Sequence, residues 1–187
     1  MRRRWVVGAA IAAVAIAAGA IYQLAFSGST VEDHPRGARA TSVIGSGKDA
    51  VGVSATGVIL AKQPAPPDGG LPRLPLGRPP KQRRLAGPML QQALVLGAAP
   101  AVLRSCIAGS HFGESGVDVK LASGIELLFG DASRAAQKWS SAVAILADPT
   151  ITDIGYVDLH SPSRASTGGS GHTLPTAEPG AGTTCGG

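Results

Sequence analysis

The chain has 187 residues and a formal net charge of +5, with 26 glycines, 14 prolines and no asparagine. That length allows one ordinary domain, or two very small ones, beside any membrane segment. The two cysteines rule out a disulfide-scaffold miniprotein, and the Gly/Pro content follows the general Ala, Gly, Pro and Arg bias of the chain, which excludes reading its glycines as site markers.

The first element is apolar. Behind Met1-Arg2-Arg3-Arg4, the run Trp5–Phe26 is 22 residues long and contains no charge. As a helix it covers roughly 30 Å, the thickness of a bilayer core. Three arginines before it, with Glu32 and Asp33 after it, place the N-terminus in the cytoplasm and the bulk of the chain outside, as a single-pass protein of the cytoplasmic (cell inner) membrane. Its eight larger apolar residues give an insertion energy of about −2 to −5 kcal/mol. Ala18-Gly19-Ala20 also fits a signal-peptidase site, so a cleaved leader is the competing reading.

Residues 27–50 read as a polar, mostly irregular spacer. Val51 and Val53, then Ser54-Ala55-Thr56-Gly57, then Val58–Ala61 read as a hairpin. Residues 62–84 are Pro-rich and basic and predict an extended loop, with Leu71-Pro72 and Leu74-Pro75 placed to lay leucines on a sheet. Residues 87–108 predict a helix with Pro88 in its first turn, a stripe of Leu90, Leu94, Ala98, Ala101 and Cys106, and a break before Pro100. Val117–Leu121 and Ile125–Phe129 form the clearest hairpin. Asp131 or Ser133 is the expected cap of a helix that buries Ala135, Trp139, Ala142, Val143 and Leu146 and ends at Asp148-Pro149. Residues 153–160 predict a last strand with Val157 and Leu159 facing in. From Ser161 the composition turns to Ser, Gly, Thr and Pro, which predicts a disordered tail over residues 163–187. The fold class expected is α+β: a transmembrane helix, then a mostly antiparallel sheet with two packed helices.

No catalytic constellation emerges. Gly45-Ser46-Gly47-Lys48 shares the end of a phosphate-binding loop, but Ser42 stands where the first glycine belongs and Asp49 where Ser or Thr belongs. Gly113-Glu114-Ser115-Gly116 fails as a nucleophile elbow because Val117 occupies the final position. His34, His111, His160 and His172 have no metal spacing. The expectation is a protein that is no enzyme and takes no cofactor, metal or small-molecule substrate. Cys106 falls in an apolar helical pattern and Cys185 in a Gly/Thr segment, so no obligatory bridge is expected.

Charge is divided along the chain. Residues 30–104 hold ten basic and four acidic residues, whereas residues 105–187 hold four and eight. The cluster Arg73, Arg78, Lys81, Arg83, Arg84 contains no acid and favours an anionic head group or an acidic protein surface, unless it is a solvated linker. It lacks the interleaved aromatics expected for nucleic acid.

In their order these elements resemble the FtsQ/DivIB bacterial cell-division proteins. The residues that carry the resemblance are Val53-Ser54-Ala55-Thr56-Gly57-Val58-Ile59, with Ser54 where an acid is common; Leu71-Pro72-Arg73-Leu74; Val119 through Gly130; Lys138 in the following helix; and Tyr156-Val157-Asp158-Leu159-His160, with His160 where arginine is more usual. The resemblance covers residues 51–162 and the anchor. It implies a non-enzymatic protein of the divisome, acting in septum assembly, that binds FtsB/DivIC-type and FtsL-type partners by strand addition at an open edge. The edge residues it implies are Tyr156, Val157, Asp158, Leu159, His160, Ser163, Arg164, Ala165, Ser166 and Thr167. The family places a POTRA domain between the membrane and this β-domain. Residues 27–50 number 24, too few for one, and Val31–Arg36 is similar to its last strand, so the segment is a spacer or a POTRA remnant. The alternative function is a secreted or anchored cell-envelope module without a division role.

Overall fold

The computed structural model describes residues 39–64, 70–178 and 182–185. The expected membrane helix Trp5–Phe26 and residues 27–38 of the spacer lie outside the described residues. Among the described residues no helix is long and apolar enough to cross a membrane.

The fold is α+β, with two sheets and a small hairpin. In the first sheet, β1 (Ala40–Ile44), β2 (Val51–Ser54) and β3 (Ile59–Pro64) pair antiparallel in chain order. β1 corrects the irregular reading of 27–50. Its five residues, Ala-Thr-Ser-Val-Ile, are mostly β-branched, and residues 41–44 are all buried. The turn from β2 to β3 is built by Ser54, whose Oγ accepts hydrogen bonds from the N–H of Thr56 (3.3 Å) and Val58 (3.1 Å). The hydroxyl thus holds the turn from the position where the resembling family commonly has an acid. Residues 70–86 run as a coil along this sheet. Val43 N–H donates to Pro72 O, Leu74 N–H to Val43 O, Ile59 N–H to Arg83 O and Leu85 N–H to Gly57 O. Leu74 and Leu85 enter the core, while Leu71 is only half-buried.

Helix α1 (Gly87–Gly97) carries Pro88 in its first turn as expected, and Pro100 separates it from the short α2 (Ala101–Arg104). Its buried face differs from the sequence expectation. Gln92, Ala93, Val95 and Leu96 are buried, and Leu90 and Leu94 are only half-buried. The reason is tertiary: α1 touches β1 and β2 on one side and, in the second sheet, β4 (Ile107–Gly113) and β5 (Gly116–Leu121) on the other. A helix wedged between two sheets shows no single stripe.

The second sheet has the order β4-β5-β6-β7-β8, with β6 at Glu126–Gly130, β7 at Asp153–Asp158 and β8 at Ser166–Thr173. Val117, Val119, Leu121, Leu127, Phe129, Val157 and Leu159 point into the core, as the alternation predicts. β4 carries no strand signal of its own, because Ile-Ala-Gly-Ser-His-Phe-Gly has no alternation; pairing with β5 makes it a strand. Between β6 and β7, which pair in parallel, the chain crosses over through α3 (Ala135–Leu146).

α3 is seated by two side chains. Trp139 is fully buried, donates its indole N–H to Val95 O at 2.8 Å, and lies against Phe129 with ring centroids 4.9 Å apart. Lys138, whose burial sequence reading missed, is 1% exposed. Its Nζ donates to Phe129 O (2.8 Å), Asp131 O (2.9 Å) and Asp131 Oδ1 (3.0 Å), which accounts for its three donors. The hydroxyl of Ser133 and then Lys138 hold the Asp131 carboxyl down to about 2. Neither Asp131 nor Ser133 caps the helix: the cap position is Arg134, in the left-handed conformation with φ 53°, and Asp131 spends its carboxylate on Ser133 and Lys138.

The expected disordered tail is likewise corrected. β8 pairs antiparallel with β7, and β9 (Thr176–Glu178) with β10 (Gly182–Thr184). Cys106 and Cys185 form a disulfide across a sequence separation of 79. Helix ends at Arg104, so Cys106 sits in the turn into β4 rather than in a helix. The low intrinsic strand preference of the glycines is overridden by the backbone partners β7 offers and by the covalent tie.

Two stability outcomes follow. Cys185→Ser should destabilise the domain by about 2–5 kcal/mol, because a long loop is released in the unfolded state. Denaturant titration with and without a reductant checks this, and an unchanged midpoint would count against it. Lys138→Met should cost about 2–4 kcal/mol by leaving buried carbonyls unpaired, read as a lower thermal midpoint.

Candidate partner-binding edge

The residues expected to form an open edge divide between two positions. Tyr156, Val157 and Asp158 lie in β7, which pairs with β6 through Leu127↔Val157 and with β8 through Val157↔Thr167. β7 is therefore a central strand, and the open edge expected at Tyr156–His160 is not there. Leu159 is buried, and its N–H donates to Leu128 O at 2.9 Å. Ser163 and Arg164 fall in a 3-10 turn, Pro162–Arg164, held by Ser141 Oγ donating to Pro162 O. Ala165 follows it half-buried, and Ser166 and Thr167 begin β8.

β8 is the terminal strand of its sheet, so one side of it carries no strand among the described residues. The edge therefore continues past Thr167 to Thr173, through residues whose composition predicts disorder. No local preference in the glycine-rich run Ser166–Thr173 signals a strand there.

The edge has a defined texture. It runs Ser-Thr-Gly-Gly-Ser-Gly-His-Thr, without charge or proline, two devices that commonly blunt free edges. The register shifts between Ile154 and Tyr156, where Gly169 (φ 69°) and Gly171 (φ 107°) take conformations that L side chains rarely adopt. Ladder pairing resumes at His172. There Asp153 Oδ1 accepts the N–H of Gly171 (2.6 Å) and of His172 (2.8 Å). At the other end the Tyr156 ring lies over Gly168, where a Cβ would strike it, and Tyr156 remains 41% exposed.

Charge gathers on the solvent side of the same sheet. His160 Nδ1 lies 2.8 Å from Asp158 Oδ1, and its Nε2 is 3.3 Å from Ser115 O. Asp158 raises the His160 imidazole above its ordinary range, and the His160 backbone N–H, then its ring, lower the Asp158 carboxyl. His111 Nε2 is 3.2 Å from Asp118 Oδ2, yet burial pushes the Asp118 carboxyl up more strongly than His111 pulls it down. The other oxygen, Asp118 Oδ1, is buried with no hydrogen-bond partner. Among the described residues no group of three or more His, Cys, Asp or Glu is placed to hold a metal ion.

The chain thus folds into an α+β domain whose second sheet ends, among the described residues, in a strand paired on one side. The sequence matches the family model described as cell division protein FtsQ/DivIB, C-terminal, over residues 43–160, well over half of the chain. The chain belongs to the FtsQ/DivIB family. No curated protein matches it. The matched span ends before β8 begins at Ser166.

The Asp158–His160 pair predicts a pH window. The depressed carboxyl stabilises the fold above the ordinary Asp value of 3.8 and ceases to as pH falls through its folded value. The raised imidazole stabilises below the ordinary His value of 6.5 and ceases to as pH rises through its folded value. The difference in thermal midpoint between wild type and His160→Gln should therefore be largest between these limits and shrink at both ends. Both side chains are partly exposed, so the difference should be small and should fall with added salt. A pH-independent difference would contradict the pair.

Proposed function

We propose that this chain is a non-enzymatic division protein that holds FtsB/DivIC-type and FtsL-type partners outside the cytoplasmic membrane, anchored by Trp5–Phe26 with its N-terminus inside. In this reading a partner segment adds as a strand beside β8. The observation that carries it is the one-sided pairing of β8 in a domain of this family. Unpaired N–H and C=O groups along an edge supply affinity, and the alternating side chains of the incoming strand supply selectivity. The uncharged, proline-free sequence of β8 supports the reading, because nothing in it repels a strand. The Gly169–Gly171 distortion limits continuous pairing to the stretch Ser166–Gly168, so this stretch carries the register. Division recruitment that other members route through a POTRA domain would rest here on residues 27–50 or on the partners themselves.

Neighbouring prolines test the edge. In an antiparallel ladder, adjacent N–H groups point to opposite sides. Of Ser166→Pro and Thr167→Pro, one removes a bond to β7 and lowers the thermal midpoint; the other removes an outward donor and leaves it nearly unchanged. The second should weaken capture of an FtsB-type partner at least about tenfold. Wild-type binding by both variants would overturn the proposal. Val157→Pro is the control: in a strand paired on both sides it should unfold the sheet.

A further inference from the structure

The coil of residues 70–86 has the composition of a linker and the attachment of a structural element. Backbone hydrogen bonds pin it to β1 at Pro72 and Leu74 and to the β2–β3 turn at Arg83 and Leu85, and Leu74 and Leu85 are buried beneath it. Arg73 bonds back to Gly45 O at 2.7 Å. Pro75, Pro79 and Pro80 restrict the backbone between the pins. The side chains of Arg73, Arg78, Lys81, Arg83 and Arg84 are therefore carried on a fixed ridge, and all five residues are exposed. Among the described residues none of them forms a salt bridge. The acids Asp118, Glu126, Asp153 and Asp158 belong to the five-stranded sheet, and Asp49 to the 3-10 turn Gly47–Asp49.

We propose that this ridge is a docking surface for the anionic head groups of a bilayer. A row of cations on an extended, proline-stiffened coil, without aromatics or converging polar acceptors, suits a surface of many diffuse negative charges better than one small anion. The chain also supplies the reason for a bilayer rather than an acidic protein. The apolar run Trp5–Phe26 ends 13 residues (27–39) before β1, the strand to which the ridge is pinned. Extended, those residues span at most about 45 Å, so an anchored chain would keep the ridge at high effective concentration near lipid. Each cation at an anionic surface contributes roughly a fivefold gain in partition, so several weak contacts suffice. This inference uses the proposed anchor but not strand addition at β8.

The test uses the full chain with vesicles of neutral phosphatidylcholine, or of phosphatidylcholine with about one third phosphatidylglycerol. Trypsin cleavage after Lys81, measured by mass spectrometry, is compared with cleavage after the exposed Arg164. At low salt, anionic lipid should slow the Lys81 cut at least about fivefold relative to Arg164, and high salt should restore it. In Arg78→Gln/Arg83→Gln/Arg84→Gln, which replaces exposed side chains and keeps the Lys81 site, most of the protection should vanish. An unchanged Arg164 rate in that variant reports an intact fold. Equal cleavage in both lipids, equal protection in both, or full protection of the triple variant would overturn the proposal. Flotation with neutral vesicles reads the anchor separately. If the anchor fails, flotation with anionic but not neutral vesicles supports the ridge, and flotation with neither refutes it.

Discussion

Lys138 determines how the second half of the molecule is assembled. A lysine amino group brought out of water needs its hydrogen bonds replaced, and here Phe129 O, Asp131 O and Asp131 Oδ1 replace them within 3.0 Å. Those acceptors lie at the end of β6 and in the turn after it, so satisfying the lysine sets the path by which the chain leaves the sheet. The next residue, Trp139, is thereby delivered against Phe129 and Val95 O. α3 can then lie across the sheet and return the chain as β7, parallel to β6. β8 exists only because β7 is in place to pair with it.

The second joint is α1. It is bound by neutral amides rather than by charge: Gln92 Oε1 accepts from Ser110 Oγ at 2.9 Å, and Gln91 Oε1 accepts from Ala132 N–H at 2.9 Å. One glutamine is fully buried in the cleft between the sheets. Together with Trp139, these bonds tie α1 to β4, to the β6–α3 turn and to α3. The three-stranded and five-stranded sheets thus share one core across a single helix.

Much of this arrangement could be read from the chain. The alternation in Val117–Leu121 and Ile125–Phe129, the Pro100 break and the Trp139 face each reflect a local rule that the fold obeys. The failures have a common cause. β4 and β8, rich in glycine, are strands by virtue of their neighbours, whereas β1 carries β-branched residues in a stretch too short and too flanked by polar residues to stand out. Lys138 is buried by a turn that gathers carbonyls around it, which hydropathy does not register. The edge was displaced by one strand for the same reason: reading Ser166–Thr173 as disordered left β7 without its outer neighbour. The cysteine pair is hidden from the sequence because the apolar helical spacing runs on past Arg104, where the helix ends, to Cys106.

The position of that pair shapes how the protein matures. The segment between Cys106 and Cys185 contains the whole five-stranded sheet and α3. Folding of that sheet brings the two cysteines together. With two cysteines in the sequence, a chain has no incorrect internal pairing to undo, and the isomerisation that slows multi-disulfide proteins does not arise. The error left open is between molecules. A chain whose sheet is late in forming displays Cys106 to its neighbours, and the product is a covalent dimer, a species that non-reducing electrophoresis separates from the internally bridged chain.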